Sequence, residues 1–360
     1  MRLDRKNHRE GETSSSLFLY PREGFGPGTY ALMSLVTAGV LLLCVCLGSV
    51  SIPLREVMAV FGAALRGAAP ATSAASILLS VRLPRTLCVA LTGASLSLCG
   101  ASMQGLLKNP LADGSTLGVS SGASLGAVVS IAFGVTIPGL PFAGTVGMAM
   151  LFAFLSLLLI LTLAYRLDSS LATGTIILIG VIFSMFVTSV LSLVITFASD
   201  KVRQITFWTM GSLSGSSYAN AALLLGALLL FGGVLLSHAR ELNAFAIGED
   251  NARSVGVDVR RVKLTVMIAV SALIGVCVSI GGSIAFVGLV APHMVRLLIG
   301  PNHKRLLSAS LFGGASFLML CDLCARLLFS PRELPIGVVT SFLGAILFVI
   351  IFTRTGRARA

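Results

Sequence analysis

The sequence predicts an all-α polytopic membrane protein, and three observations carry that prediction. Of 360 residues, 56% are hydrophobic and only 11% charged, with mean hydropathy +0.97; a soluble domain carries about a quarter charged residues, so this much apolar surface belongs in lipid. The apolar runs have the length of a membrane-crossing helix, about 20 residues. They lack the ten-residue alternation of barrel strands. The basic residues, net +12, fall mainly between the runs, as anchoring charge does, and form no soluble basic face for a nucleic acid.

The N-terminal residues 1–29 are polar, with Arg2, Arg5, Lys6 and Arg9 well ahead of the first apolar run. A cleaved leader places a short apolar stretch directly behind its basic residues. The first run therefore reads as a retained span, and residues 1–29 as a cytoplasmic tail. Ten transmembrane helices are expected within a domain spanning 30–353: Tyr30–Val50, Thr86–Leu107, Leu117–Val135, Phe142–Tyr165, Leu171–Ala198, Ala219–His238, Val262–Gly282, Ile284–Ile299, Leu306–Leu328 and Gly337–Thr353. The third and eighth are short or broken by Gly and Pro. A basic tail, 354–360, follows.

The stretch that organises this domain is Arg82–Gly126. It begins with Arg82-Leu-Pro-Arg85, runs small and apolar for one bilayer thickness, breaks at Lys108-Asn109-Pro110 and resumes as a Gly/Ser/Ala segment. Gly118, Gly122 and Gly126 share a helical face, which lets two backbones approach, within the chain or between subunits. Five of its residues, Gly93, Ser97, Gly100, Pro110 and Gly118, recur 182 positions later as Gly275, Ser279, Gly282, Pro292 and Gly300. The copies start in spans that cross in opposite directions, so the pattern predicts an inverted repeat, an architecture of transporters.

With the N-terminus inside, inner segments hold 18 of the 26 Lys and Arg, which places both termini in the cytoplasm. The other eight, Arg55, Arg66, Arg82, Arg85, Lys201, Arg203, Arg326 and Arg332, lie outside, where they oppose that topology. No catalytic or metal-binding constellation is evident. There is no P-loop, H-E-x-x-H or G-x-S-x-G, and the four histidines show no ligand spacing. Cys321 and Cys324 have C-x-x-C spacing inside an apolar helix and read as packing. The spans hold almost no carboxylate, and Asp322 lies four residues before Arg326, where the pair can neutralise itself. An ion-coupled carrier usually needs a buried carboxylate, so the energy source is expected outside this chain; sodium bound by backbone carbonyls stays open.

The cytoplasmic segment 240–263, RELNAFAIGEDNARSVGVDVRRVK, predicts two short helices joined near Gly248 and ended near Gly256. It reads either as a solvated loop or as a docking element, with Leu242, Phe245, Ile247, Ala252 and Val255 as its apolar positions.

Across Tyr30–Phe352 the chain resembles the permease subunit of type II ABC importers for iron-siderophores, haem and cobalamin, the FecCD type. The matching stretches are Arg82-Leu-Pro-Arg85, GASLSLCGASMQGLLKNPLADGSTLGVSSGA, WTMGSLSG, GEDNARSVGV, GSIAFVGLVAPHMVR and ELPIGVVTSFLGAILF. The resemblance implies the fold of that permease, a homodimer around one pathway, two ATPase subunits holding ATP and magnesium, one extracytoplasmic binding protein, and residence in the bacterial inner membrane. It implies no cofactor and no catalysis in this chain. It assigns Arg82, Arg85 and Arg326 to docking of the binding protein, the alternative for each being a helix-end or headgroup contact. It assigns Gly248, Glu249, Ala252, Arg253 and Gly256 to ATPase coupling, and Thr173 and Gly174, within Leu171-Ala-Thr-Gly174, to a cytoplasmic gate. Trp208 and Met210 are expected to line the route. The implied cargo is an iron chelate, with haem or cobalamin as alternatives; an ion-coupled carrier without an ATPase is the competing class.

Overall fold

Fourteen helices make up the regular structure of the computed structural model, which describes residues 24–48, 50–67, 72–137, 143–168 and 172–357. The first helix, α1 (Pro27–Cys46), opens on a proline whose fixed φ suits a first turn. The short α2 (Leu54–Leu65) follows. The longest, α3 (Ser73–Leu106), is capped by Thr72, whose hydroxyl accepts from the Ala75 amide. Then come α4 (Val119–Phe133), α5 (Ala143–Leu167), α6 (Thr173–Phe197), the small α7 (Val202–Thr209) and α8 (Tyr218–Ser237). Two short helices, α9 (Ala239–Ile247) and α10 (Glu249–Ser254), lead into α11 (Val259–Gly281). The chain closes with α12 (Val287–Ile299), α13 (His303–Leu327) and α14 (Ile336–Arg357).

Seven of these helices, α1, α3, α5, α6, α8, α11 and α13, are long and apolar enough to cross a membrane. The expected third, eighth and tenth spans coincide with α4, α12 and α14, whose apolar lengths are shorter: Val119–Phe133, Val287–Ile299 and Ile336–Ile350. Most of the expected N-terminal tail, residues 1–23, and the end of the C-terminal tail, 358–360, lie outside the described residues, as do Phe142 and Leu171.

The second span differs most from expectation. It starts at Ser73 and not Thr86, so Arg82 and Arg85 sit within the helix. Charge and proline in Arg82-Leu-Pro-Arg85 suggest a lip. Pro84 has no N–H to donate, and its ring crowds the carbonyl four residues earlier. The π turn Leu78–Arg82 directly ahead loosens the backbone there, and the helix continues.

The 182-residue repeat pairs helix interiors at Gly93/Gly275 and Ser97/Ser279, then stops matching. Pro110 lies in the turn after α3, whereas Pro292 lies inside α12. The element order nevertheless repeats. A long buried helix (α3, α11) is followed by a short apolar one (α4, α12) entered through a left-handed residue, Gly118 or Phe286. Two longer helices follow in each half. Contacts are reciprocal as well: α3 packs on α13 and α11 on α5, while α4 packs on α5 and α12 on α13. A two-fold relation between halves generates such reciprocity.

The helix α3 sits at the centre. A Cβ on Gly93 would strike the Gly314 carbonyl of α13, one on Gly100 the Gly288 backbone of α12, and one on Gly105 the His303 ring. Since Gly105 meets His303 and Arg85 meets Asp322, α3 and α13 run antiparallel. The 20 residues between Arg85 and Gly105 span about 30 Å of helix, the thickness of a hydrocarbon core. Pro292 leaves the Gly288 carbonyl without its helical donor; Gln104 Nε2 of α3 approaches it at 3.4 Å and the next carbonyl, Leu289, at 3.3 Å.

A Gly100→Val substitution forces Cβ into backbone that cannot retreat. It is expected to cost about 1–3 kcal/mol or more, seen as a lowered melting temperature in detergent and loss of a monodisperse size-exclusion peak. Gly147→Ala, which faces open space, is expected to leave both unchanged.

Candidate docking and coupling surfaces

At one end of the bundle, α1 stops with its last carbonyls unpaired, as every helix does. Two guanidinium groups take them. Arg82 Nη1 donates to the Val45 and Cys46 carbonyls at 3.0 and 3.2 Å, and its Nη2 donates to Val50. Arg326 Nη1 donates to Leu47 and its Nη2 to Cys44, both at 3.1 Å. Positive charge at a helix C-terminus is also favoured by the helix dipole. Gly48 lies directly against both groups, where a Cβ would collide.

The third arginine has different partners. Arg85 gives Nε and Nη2 to Asp322 Oδ1 at 3.0 and 2.9 Å, and Nη1 to Glu333 Oε2 at 2.7 Å. Arg326 Nε lies 2.9 Å from Asp322 Oδ2, an ion pair whose N–H is not aligned for a hydrogen bond. Asp322 thus serves two arginines. The three arginine residues are 5–7% exposed, so in this structure they are held by their own chain and are largely withdrawn from the surface. Arg82 and Arg326 make helix-end contacts, whereas Arg85 is paired with carboxylates. Exposed positive charge at this end comes from Arg55, Arg66 and Arg332. Glu333, with 38% of its side chain exposed, is the outer member of the network.

At the opposite end, the expected pair of short helices is present. Gly248, with φ 139°, makes the break between α9 and α10, a conformation that a side chain disfavours. Gly256, with φ 86°, ends α10 as its amide bonds to the Arg253 carbonyl and the Val257 amide to Ala252, a Schellman closure. Leu242, Phe245 and Ala252 are buried, while Ile247 and Val255 are 75% and 73% exposed. Arg253 also faces out, paired only with exposed Asp250 at 3.1 Å.

Glu249 faces inward. Its two oxygens each lie 2.9 Å from Lys263 Nζ of α11, and Lys263 is 1% exposed. The pair ties α10 to a long buried helix. A second tie joins α9 to α13: Asn243 Oδ1 accepts from the backbone N–H and Nδ1 of His303, at 2.8 and 2.9 Å. Asn243 Nδ2 donates to Asn302 Oδ1 at 3.2 Å. The sequence reading missed both ties. For the first, Lys263 follows Arg260 and Arg261 at the start of α11 and reads in sequence as one more anchoring charge.

Thr173 is the first residue of α6 and half-buried, and Gly174 is exposed. Asp168 Oδ2 accepts from the Ala172 amide and the Thr175 hydroxyl at 2.9 and 3.4 Å. Trp208 and Met210 sit at the end of α7, their carbonyls packed against Gly282 and Gly337 respectively.

The profile described as the FecCD transport family matches residues 35–354. An uncharacterized ABC transporter permease protein of Bacillus subtilis, YvrB, is 40% identical over 322 residues, covering 88% of this chain and 91% of its own. The vitamin B12 import permease BtuC of Vibrio cholerae is 39% identical over 283 residues, 76% of this chain and 82% of its own. The hemin transport permease HmuU of Yersinia pestis is 36% identical over 293 residues, 79% and 85%. A solved structure, described as an inward-facing metal-chelate type ABC transporter, matches with TM-score 0.79 and 30% identity over 91% of this chain and all of its own.

Asp322→Asn is expected to leave two buried arginines short of a counter-charge and to destabilise the protein by about 3–5 kcal/mol. Thermal unfolding in detergent reads this directly. Asp250→Asn, in an exposed pair, is expected to leave the midpoint unmoved.

Proposed function

Matched over nearly its whole length, the chain belongs to the FecCD transport family, and we propose that it is the permease subunit of an ATP-driven importer that moves an iron chelate, a siderophore, across the bacterial inner membrane. In this reading ten helices cross the membrane, α4, α12 and α14 included, and both termini face the cytoplasm. Two copies enclose one pathway, and each receives one ATPase subunit, which carries the ATP and magnesium. The dimer takes cargo from one extracytoplasmic binding protein. The chain performs no chemistry. It stabilises inward- and outward-facing states differently as its partners bind.

The observation that carries this reading is the anchored segment α9–α10. Ile247, Arg253 and Val255 project outward, whereas Glu249–Lys263 and Asn243–His303 fasten the segment to α11 and α13. A force applied to the outer face reaches the buried helices through short, directed bonds. Gly248, Ala252 and Gly256 supply shape in this scheme, and Arg253 supplies the contact. Thr173 and Gly174, at the start of α6, close the pathway on the cytoplasmic side.

Docking of the binding protein is assigned to the corner built by Arg82, Arg85 and Arg326. Since these groups lie beneath the surface, an acidic partner reaches Arg85 by replacing Glu333. Exposed Arg332 and Arg55 provide the longer-range attraction. A siderophore, haem and cobalamin are all large chelates, and the relatives named for B12 and hemin support cargo of that size.

Proteoliposomes holding the permease, its ATPase and its binding protein are expected to accumulate radiolabelled ferric siderophore only with ATP inside the ATPase compartment. Uptake driven by an ion gradient without the ATPase would sink the proposal, and uptake of cobalamin or haem in its place would replace the cargo. Ile247→Asp combined with Val255→Asp is expected to abolish ATPase co-purification while leaving thermal stability intact. Glu333→Gln is expected to tighten binding-protein affinity; an unchanged dissociation constant would remove Arg85 from the docking surface.

A further inference from the structure

A cavity of about 660 Å³ opens at the α9–α10 end, between the C-terminal turn of α3, α12 and the start of α13. Its polar lining is basic. Lys108, Arg296, His293 and His303 border it, together with Gln104 and Asn109, and no Asp or Glu does so among the described residues. Neither Thr173 nor Gly174 of the assigned gate lines it.

Two nitrogens here lack partners. His303 is 5% exposed, and its Nε2 is buried without a hydrogen bond, as is Nδ1 of His293. The His303 ring is not free to turn away. Its Nδ1 is committed to Asn243 Oδ1, an acceptor that also holds the His303 backbone N–H. Gly105 leaves the space that the Nε2 edge occupies, since a Cβ there would overlap it. An unsatisfied buried polar atom costs about 1–3 kcal/mol, and here two occur at one cavity.

Arg296 is likewise fixed by its Nη2 bond to Gln104 Oε1 at 2.9 Å. A guanidinium has five N–H donors, so others are left for a ligand. Lys108, on the rim, is exposed and adopts φ +50°, a left-handed conformation rare outside glycine. Such backbone outliers gather at ligand sites. The remaining wall is apolar, with Leu111 and Leu297 both about half exposed beside the opening.

We propose that this cavity binds a phosphate-bearing anion, held by Arg296 and Lys108 and hydrogen-bonded to His303. A phosphate monoester or hydrogen phosphate can both accept from the cations and donate to a ring nitrogen that carries a lone pair. A phosphodiester, which has no P–OH, is held by Arg296 and Lys108 and leaves that nitrogen to a hydroxyl of its headgroup. The group comes either from an anionic phospholipid, whose chains follow the apolar rim, or from a soluble phosphate. The site touches Ala246 of α9, so its occupant stiffens the coupling segment from below.

The test uses the delipidated full-length chain in non-ionic detergent and reads binding, which does not depend on any transport role. Native mass spectrometry follows added phosphatidylglycerol or phosphatidylcholine, and calorimetry follows inorganic phosphate. One phosphatidylglycerol, or one phosphate, is expected to bind per chain. Loss of about tenfold or more in affinity is expected on Arg296→Gln, which removes a charge-assisted hydrogen bond. Lys108→Asn, on an exposed turn, is expected to weaken binding with no change in melting temperature. Retention of phosphatidylglycerol alone identifies a lipid headgroup, and competition by phosphate identifies a soluble anion. The proposal is overturned if neither binds, if phosphatidylcholine binds equally well, or if Lys108→Asn and Arg296→Gln both leave affinity unchanged.

Discussion

The close approach of α3 to α12 and α13 is the constraint on which the rest of the structure depends. In lipid, helices gain nothing from hiding apolar surface, because the surroundings are already apolar. Association must come from tight packing and directed polar bonds. Gly93 against Gly314 and Gly100 against Gly288 bring backbones to a distance that any side chain would prevent. With α3 and α13 locked antiparallel, the residues at their ends are placed too: Arg85 beside Asp322 at one, Gly105 beside His303 at the other.

Both ends then follow one rule, that a buried polar group must find a partner. At one end the orphan carbonyls of α1 are met by Arg82 and Arg326, and the remaining positive charge is met by Asp322 and Glu333. At the other end, the carbonyl that Pro292 leaves open is met by Gln104. There too, buried Lys263 near the start of α11 is met by Glu249 from α10. These polar residues, which look expensive in sequence, close gaps that other elements create.

The same kind of bond fastens a small surface segment to a large bundle. Glu249–Lys263 ties α10 to α11, and Asn243–His303 ties α9 to α13. The outer face of α9 and α10 has few polar commitments of its own. Ile247 and Val255 are exposed apolar side chains on an otherwise polar segment, and they lie beside Gly248 and Gly256, whose backbone geometry sets the direction in which they point.

The sequence by itself determined the helical class, the order of the apolar segments, the break at Gly248, the end at Gly256 and the family likeness. These follow from local properties: hydropathy, glycine conformation and motif order. What only the tertiary structure decided was the direction of side chains. Arg82 and Arg85 read as an exposed lip because charge next to proline usually ends a helix; the carbonyls at the end of α1, 30 to 40 residues away, hold Arg82 inward, and Asp322 and Glu333, more than 200 residues away, hold Arg85. Glu249 and Arg253 look alike in the sequence of α10, yet one meets a buried lysine and the other meets solvent. The repeat was legible at Gly93 and Ser97 but not beyond, since α11 ends earlier than α3 and the offset shrinks, to 168 between Val119 and Val287. The cavity at Arg296 and His303 was not legible at all. Its walls come from five helices spread along the chain, and only packing brings the unpaired nitrogens of α12 and α13 to one place.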